Sequence, residues 1–168
     1  ICQRERIMQL LIKQRVFSWL DSYNIYDEMQ QKKYYVKSEA FTLGHRMHLY
    51  DLNGRELGRI KQELFTLTPR FEIEATNGIH GKIKKKFTFF KPAYEINYNG
   101  YKVEGNFLGW NYDVLRGGEN VMHIKKEYFS WGDTYVIDIK YPQDEILGLL
   151  LVLSIDAANC DKNNAGSC

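Results

Sequence analysis

Four segments of this chain repeat one pattern at a fixed spacing, and that repeat constrains the fold more than any other feature. They begin at Ile12-Lys13-Gln14, Ile60-Lys61-Gln62, Ile83-Lys84-Lys85 and Ile124-Lys125-Lys126. In each, an aromatic residue follows eleven positions after the leading Ile, at Tyr23, Phe71, Tyr94 and Tyr135. A second Ile stands two positions further on, at Ile25, Ile73, Ile96 and Ile137. Side chains alternate across a strand, so each unit reads as a strand, a turn and a returning strand. The alternation also predicts that the leading Ile shares a face with the apolar residue four later: Val16, Leu64, Phe87 and Tyr128. Asp21-Ser22, Thr68-Pro69, Lys91-Pro92 and Gly132-Asp133 supply the turn residues.

Between the repeats lie further hairpin signals. Tyr34 to Ala40 and Met47 to Asp51 are followed by Asn53-Gly54, which turns the chain into Glu56 to Leu64. Tyr101 to Asn106 and Trp110 to Leu115 are followed by Gly117-Gly118, which turns it into Val121 to Tyr128. Two similar halves divide near Asn77-Gly78, with about twelve strands in all. The 12 Tyr and 9 Phe agree, because aromatic side chains favour strands.

One segment breaks the pattern. Ile146 to Ala158 is almost wholly apolar and follows Asp144-Glu145, an acidic pair suited to a helix N-terminus. A helix apolar on every side is buried on every side or lies in a membrane. About 13–15 residues at roughly 1.5 Å each fall short of a bilayer core of about 30 Å. The segment therefore predicts a helix at the centre of the barrel, with Asp156 emerging at the barrel mouth.

The 168 residues suit one domain, read as 8–161. Met8 is read as the natural start, with 1–7 an N-terminal extension and 162–168 a disordered tail. Lys and Arg (23) nearly balance Asp and Glu (21), which argues against a nucleic-acid partner. Cys2, Cys160 and Cys168 form no metal-spaced pair and no disulfide framework, a usage that suits the cytoplasm.

The chain resembles the LURP-one-related family in its shorter bacterial form, and through it the tubby-like fold. The residues that carry the resemblance include Ile12-Lys13-Gln14 with Phe17-Ser18-Trp19, the Tyr50-Asp51-Leu52-Asn53-Gly54 turn, and Lys84-Lys85-Lys86-Phe87-Thr88-Phe89-Phe90-Lys91-Pro92. Phe107-Leu108-Gly109-Trp110, Phe129-Ser130-Trp131-Gly132-Asp133-Thr134-Tyr135 and the Ile155-Asp156-Ala157 ending add to it. The likeness runs from Met8 to about Asp161. It implies a mainly β fold: a tubby-like barrel of about twelve strands, in two similar halves, enclosing one C-terminal hydrophobic helix. Tubby domains bind phosphoinositide headgroups and the distantly similar phospholipid scramblases act at membranes, so the resemblance implies a lipid-linked role by analogy.

Candidate chemistry is sparse. Lys82, Lys84 and Lys86 alternate onto the face opposite Ile83 and Phe87, hence outward, with Lys91 beyond them and Arg46 elsewhere in the chain. Ammonium groups so placed suit an anionic headgroup or membrane surface, at about 1 kcal/mol per basic residue. The competing reading is a solvated strand face whose lysines discourage edge association. His45 and His48, three apart on a strand, point to opposite faces and do not form a metal site. Trp19 and Trp131 occupy the repeat position held by Leu67 and Phe90, an interchange that predicts packing rather than ligand recognition.

No nucleophile elbow, phosphate loop or cofactor motif is present. The sequence thus points to a cytoplasmic, non-catalytic binding or scaffold protein without a cofactor, peripheral at an anionic membrane or bound to a protein partner. The alternative is a scramblase-like protein anchored by its helix.

Overall fold

The leading isoleucine of every repeat stands directly opposite the trailing one. Ile12 faces Ile25, Ile60 faces Ile73, Ile83 faces Ile96, and Ile124 faces Ile137. Each pair sits on the inner face of an antiparallel hairpin, where the apolar residues leave water together. The computed structural model describes residues 7–13, 22–39, 43–90, 93–130 and 132–159.

The repeated hairpins are β1 (Met8–Lys13) with β2 (Tyr23–Asp27), β5 (Glu56–Gln62) with β6 (Arg70–Ala75), β7 (His80–Lys86) with β8 (Ala93–Asn97), and β11 (Glu119–Phe129) with β12 (Gly132–Ile139). Two further hairpins lie between them: β3 (Lys32–Ser38) with β4 (Arg46–Asp51), and β9 (Tyr101–Asn106) with β10 (Asn111–Arg116). Each half is therefore a repeat, a connecting hairpin and a second repeat.

All twelve strands form one antiparallel sheet in which sequence neighbours other than β8 and β9 pair, and β1 pairs with β12 to curl it into a barrel. The ring has one seam. β8 and β9 form the two ends of the sheet, so no backbone ladder joins them. Side chains close the gap: Tyr98 lies against Tyr101 with ring centroids 5.8 Å apart, and Tyr94 meets Phe107 edge-on at 5.1 Å.

Alternate connections fall at the same end of an up-and-down barrel, and the two ends differ. One is built of tight turns such as Asn53-Gly54, Asn77-Gly78 and Gly117-Gly118, with Gly54 and Gly78 at φ of +80° and +89°, where an L side chain is strained. The other carries longer connections, at 63–69 between β5 and β6 and at 87–92 between β7 and β8.

The interior is filled by α1 (Glu145–Asn159), entered through a single 3-10 turn at Pro142–Asp144. Residues 147–158 of this helix are all buried. The helix lies against β5, β6 and β7, and Phe71, Tyr98, Tyr101 and Tyr112 are buried in the same core. Each buried aliphatic side chain contributes about 1.5–3 kcal/mol, so the helix and the wall stabilise each other. Gly58 lets the helix approach, since a Cβ there would lie 2.5 Å from Leu150 Cδ1 and 2.8 Å from the Glu74 carbonyl oxygen. At fifteen residues, α1 spans about 22 Å. No helix among the described residues is long and apolar enough to cross a membrane.

Both ends of α1 are pinned to the wall. At the turn end, buried Asp144 accepts from the Tyr101 hydroxyl at 2.6 Å and from Arg116 Nη2 at 2.9 Å. Glu145 accepts from the Tyr34 hydroxyl at 2.9 Å and pairs with Lys33 Nζ at 2.5 Å. At the loop end, Lys85 Nζ donates to the Ala158 carbonyl at 3.2 Å, and the Tyr94 hydroxyl donates to Asn159.

Three expectations are corrected. Leu64 and Phe87 do not share a strand face with their leading isoleucines, because β5 ends at Gln62 and β7 at Lys86. Both are exposed, as is Tyr128 near the end of β11. Leu67 and Phe90 are not packed either, with 95% and 98% of their surface open to water. Trp19 and Trp131 lie outside the described residues, as do Val16, Phe17, all three cysteines, 1–6 and 160–168. Finally, Asp156 does not emerge at the mouth: it is 5% exposed.

Candidate binding surface

Strand β7 alternates as its sequence predicts. Ile83 is fully buried, whereas Lys82, Lys84 and Lys86 face outward. Lys85 turns inward instead and reaches the end of α1.

The outward lysines are not equivalent. Lys82 is bound by Glu63 at 2.6 Å and Glu72 at 3.0 Å, and these carboxylates hold its ammonium above the usual lysine pKa. Two shallow depressions on this wall, of about 550 and 310 Å³, share Lys82 and Asn97. Glu72, Glu74 and His80 line the first, and Glu63, Arg70, Lys84 and Glu95 the second. Charges of both signs alternate there, so neither depression is a cradle for an anion.

Lys84 stands between Arg70 and Glu95 in the sheet, and Lys86 stands opposite Ala93. Among the described residues neither forms an ion pair. Arg46 belongs to β4, three strands away from β7, and pairs with Glu39 at 3.4 Å. At about 4.8 Å per strand it is roughly 14 Å from the lysines. Lys91 lies outside the described residues. The structure thus places Lys82, Lys84 and Lys86 on one wall and Arg46 on another part of it.

A second feature is legible only in three dimensions. Nine of the twelve large apolar side chains exposed among the described residues lie at the loop end. Phe65 and Leu67 stand on the β5–β6 connection, and Phe87, Phe89 and Phe90 on the β7–β8 connection. Leu43, Leu64, Leu108 and Tyr128 complete a broken rim. Phe65 and Phe89 are fully exposed. Phe65 also adopts φ of +58°, a strained conformation for an aromatic residue, costing of order 1–3 kcal/mol. Large apolar side chains gathered at one end of a domain mark a candidate contact surface. All of them but Leu43 and Leu108 lie within the repeats, a placement visible in sequence, but their exposure was not.

Below the rim, Asp156 lies among Tyr23, Tyr94 and Tyr112. Burial pushes its carboxyl well above the ordinary aspartate range. On the outer wall, His48 sits between Glu39, 2.7 Å from Nε2, and Glu56, 3.2 Å from Nδ1. No group of three or more His, Cys, Asp or Glu side chains among the described residues is arranged to hold a metal ion.

A nearly closed antiparallel barrel filled by its own C-terminal helix defines a class in which the interior is packed and the outer surface is left for contact. The chain belongs to the LURP-one-related family, whose model matches residues 8–156. It is 33% identical over 152 residues to the uncharacterized protein YxjI of Bacillus subtilis (strain 168), covering 89% of this chain and 93% of that one. The X-ray structure of a protein from Arabidopsis thaliana superposes with a TM-score of 0.57 at 15% identity, over 90% of each chain. That likeness concerns the fold alone.

Proposed function

We propose that this protein is a non-catalytic binding module that associates peripherally, in the cytoplasm, with an anionic lipid surface through the outer wall of β7. The observation that supports the reading most is the state of Lys84 and Lys86. Both face outward with no carboxylate partner among the described residues, and both lie towards the loop end. An ammonium not committed to an internal partner keeps its attraction for phosphate, whereas Lys82 is largely neutralised by Glu63 and Glu72. Arg46, paired with Glu39 on another part of the wall, is not needed for this contact. Headgroup phosphate, phosphoinositide or otherwise, is the chemistry that Lys84 and Lys86 suit.

Two features weigh against the other readings. The barrel's centre is occupied by α1, which leaves an internal substrate no room. The same helix is too short to cross a bilayer and is enclosed by the wall, so it does not suit a scramblase-like anchor.

Sedimentation with vesicles tests the reading. Vesicles containing phosphatidylserine should bring down the protein at low ionic strength, and vesicles of phosphatidylcholine alone should bring down much less. The double variant Lys84→Glu/Lys86→Glu should bind at least about tenfold more weakly, given about 1 kcal/mol per basic residue. A folded protein that ignores anionic vesicles at low salt would leave a protein partner as the remaining role.

A further inference from the structure

We infer that the loop end of the barrel is a membrane-inserting surface, its aromatic rim entering the interfacial layer of an anionic bilayer while Lys84 and Lys86 hold the headgroups. The inference rests on the proposed lipid association and adds the face, the depth and the orientation of docking.

The rim is one-sided. Phe65, Leu67, Phe87, Phe89 and Phe90 all crown the loop end. The opposite end is made of short turns, where the exposed large apolar side chains among the described residues are Met29 on the β2–β3 turn, Leu52 on the β4–β5 turn and Ile7 before β1. A barrel so polarised presents one end to an apolar phase and the other to water.

The shape of the rim identifies its occupant. The rings stand on two separate connections between strands, β5–β6 and β7–β8. None of these apolar side chains lines either depression on the wall of β7. A folded protein partner needs a continuous complementary face, whereas a fluid bilayer accepts each protruding side chain independently. Charge agrees with this choice. Lys86 is the last residue of β7 and adjoins Phe87, so cationic groups free of ion pairs among the described residues border the apolar tip. That order, apolar tip and basic collar, matches the acyl boundary and the phosphate layer of an anionic membrane. The strained backbone of Phe65 fits a ring held outward for contact.

The test uses the full chain with its three cysteines replaced by serine and one cysteine returned for an NBD label. Positions 65 and 89 report the rim (Phe65→Cys, Phe89→Cys), and position 28 on the β2–β3 turn reports the far end (Glu28→Cys). With phosphatidylserine-containing vesicles, the rim labels should shift to the blue and be quenched by lipid-borne quenchers, and the far label should not change. The triple variant Phe65→Ser/Phe89→Ser/Phe90→Ser should lose roughly a hundredfold in partitioning, and its residual binding should vanish in high salt, because apolar insertion is not screened. Binding without a change at either rim label would overturn the insertion and leave electrostatic association intact. No binding of any variant would remove both.

Discussion

The Tyr101 hydroxyl and the Asp144 carboxylate meet at 2.6 Å inside the barrel wall, the carboxylate fully buried and also held by Arg116. This contact seats the helix at the turn end, beside the seam between β8 and β9. Breaking a buried pair leaves an uncompensated charge, which costs more than the pair itself contributes. Arg116→Met should therefore destabilise the protein by about 3 kcal/mol, and Tyr101→Phe by about 1–3 kcal/mol. Urea unfolding checks both. Equal stability to wild type would mean that Asp144 finds other partners.

Asp156 predicts an inverse response to pH. Its folded-state pKa is raised by burial well above the aspartate value of 3.8. Between those two values the unfolded chain has already lost the proton that the folded chain retains. Stability should therefore fall as pH rises through that window and level off above the folded pKa. Asp156→Asn removes the penalty, so it should raise the melting temperature at neutral pH and flatten the dependence, with little gain below the ordinary aspartate range. Thermal melts across the pH series read this directly.

Three glycines should rank in order. A methyl group at Gly81 meets the backbone of Asn97 and Tyr98, which cannot move without opening the β7–β8 corner. At Gly58 it meets Leu150 and the Glu74 carbonyl oxygen. At Gly148 it meets only the flexible end of Met122, which can change rotamer. The costs of substitution by Ala should decrease in that order, with Gly58→Ala at about 1–3 kcal/mol. Chemical denaturation of the three variants tests the ranking.

The rim should be dispensable for folding. Phe65→Ala and Phe90→Ala remove side chains that lie almost wholly in water, so each should change stability by less than about 0.5 kcal/mol. Ile60→Ala, on the inner face of the same sheet, should cost about 2–5 kcal/mol. A large loss from either Phe variant in the absence of lipid would assign the rim a structural role.

Period-two alternation made much of the wall legible in advance. The Ile12–Ile25 spacing recurs at Ile60–Ile73, Ile83–Ile96 and Ile124–Ile137, because a hairpin of constant length puts the same two positions opposite each other every time. The outward lysines of β7 follow from the same alternation. Leu64, Leu67, Phe87 and Phe90 did not, because alternation holds only while a strand lasts. Where β5 stops at Gln62 and β7 at Lys86, an apolar residue no longer has an assigned face.

The charges divide in the same way. The run Lys82, Lys84, Lys85, Lys86 was visible as a cluster, yet each lysine's role depends on partners distant in sequence. Lys82 is neutralised by Glu63 and Glu72, Lys85 is turned to the carbonyl of Ala158, and Arg46 belongs to Glu39 on a different part of the wall.

The sequence by itself determined the repeated hairpins, the strand number and the all-round apolar helix, since these are local periodicities that each segment carries alone. Tertiary structure alone decided which strand ends share one end of the barrel, which lysines keep their charge available, and that Phe87, Phe89 and Phe90 face water. Those outcomes depend on where the strands terminate and on which residues the closing of the ring brings together, and no single segment encodes either.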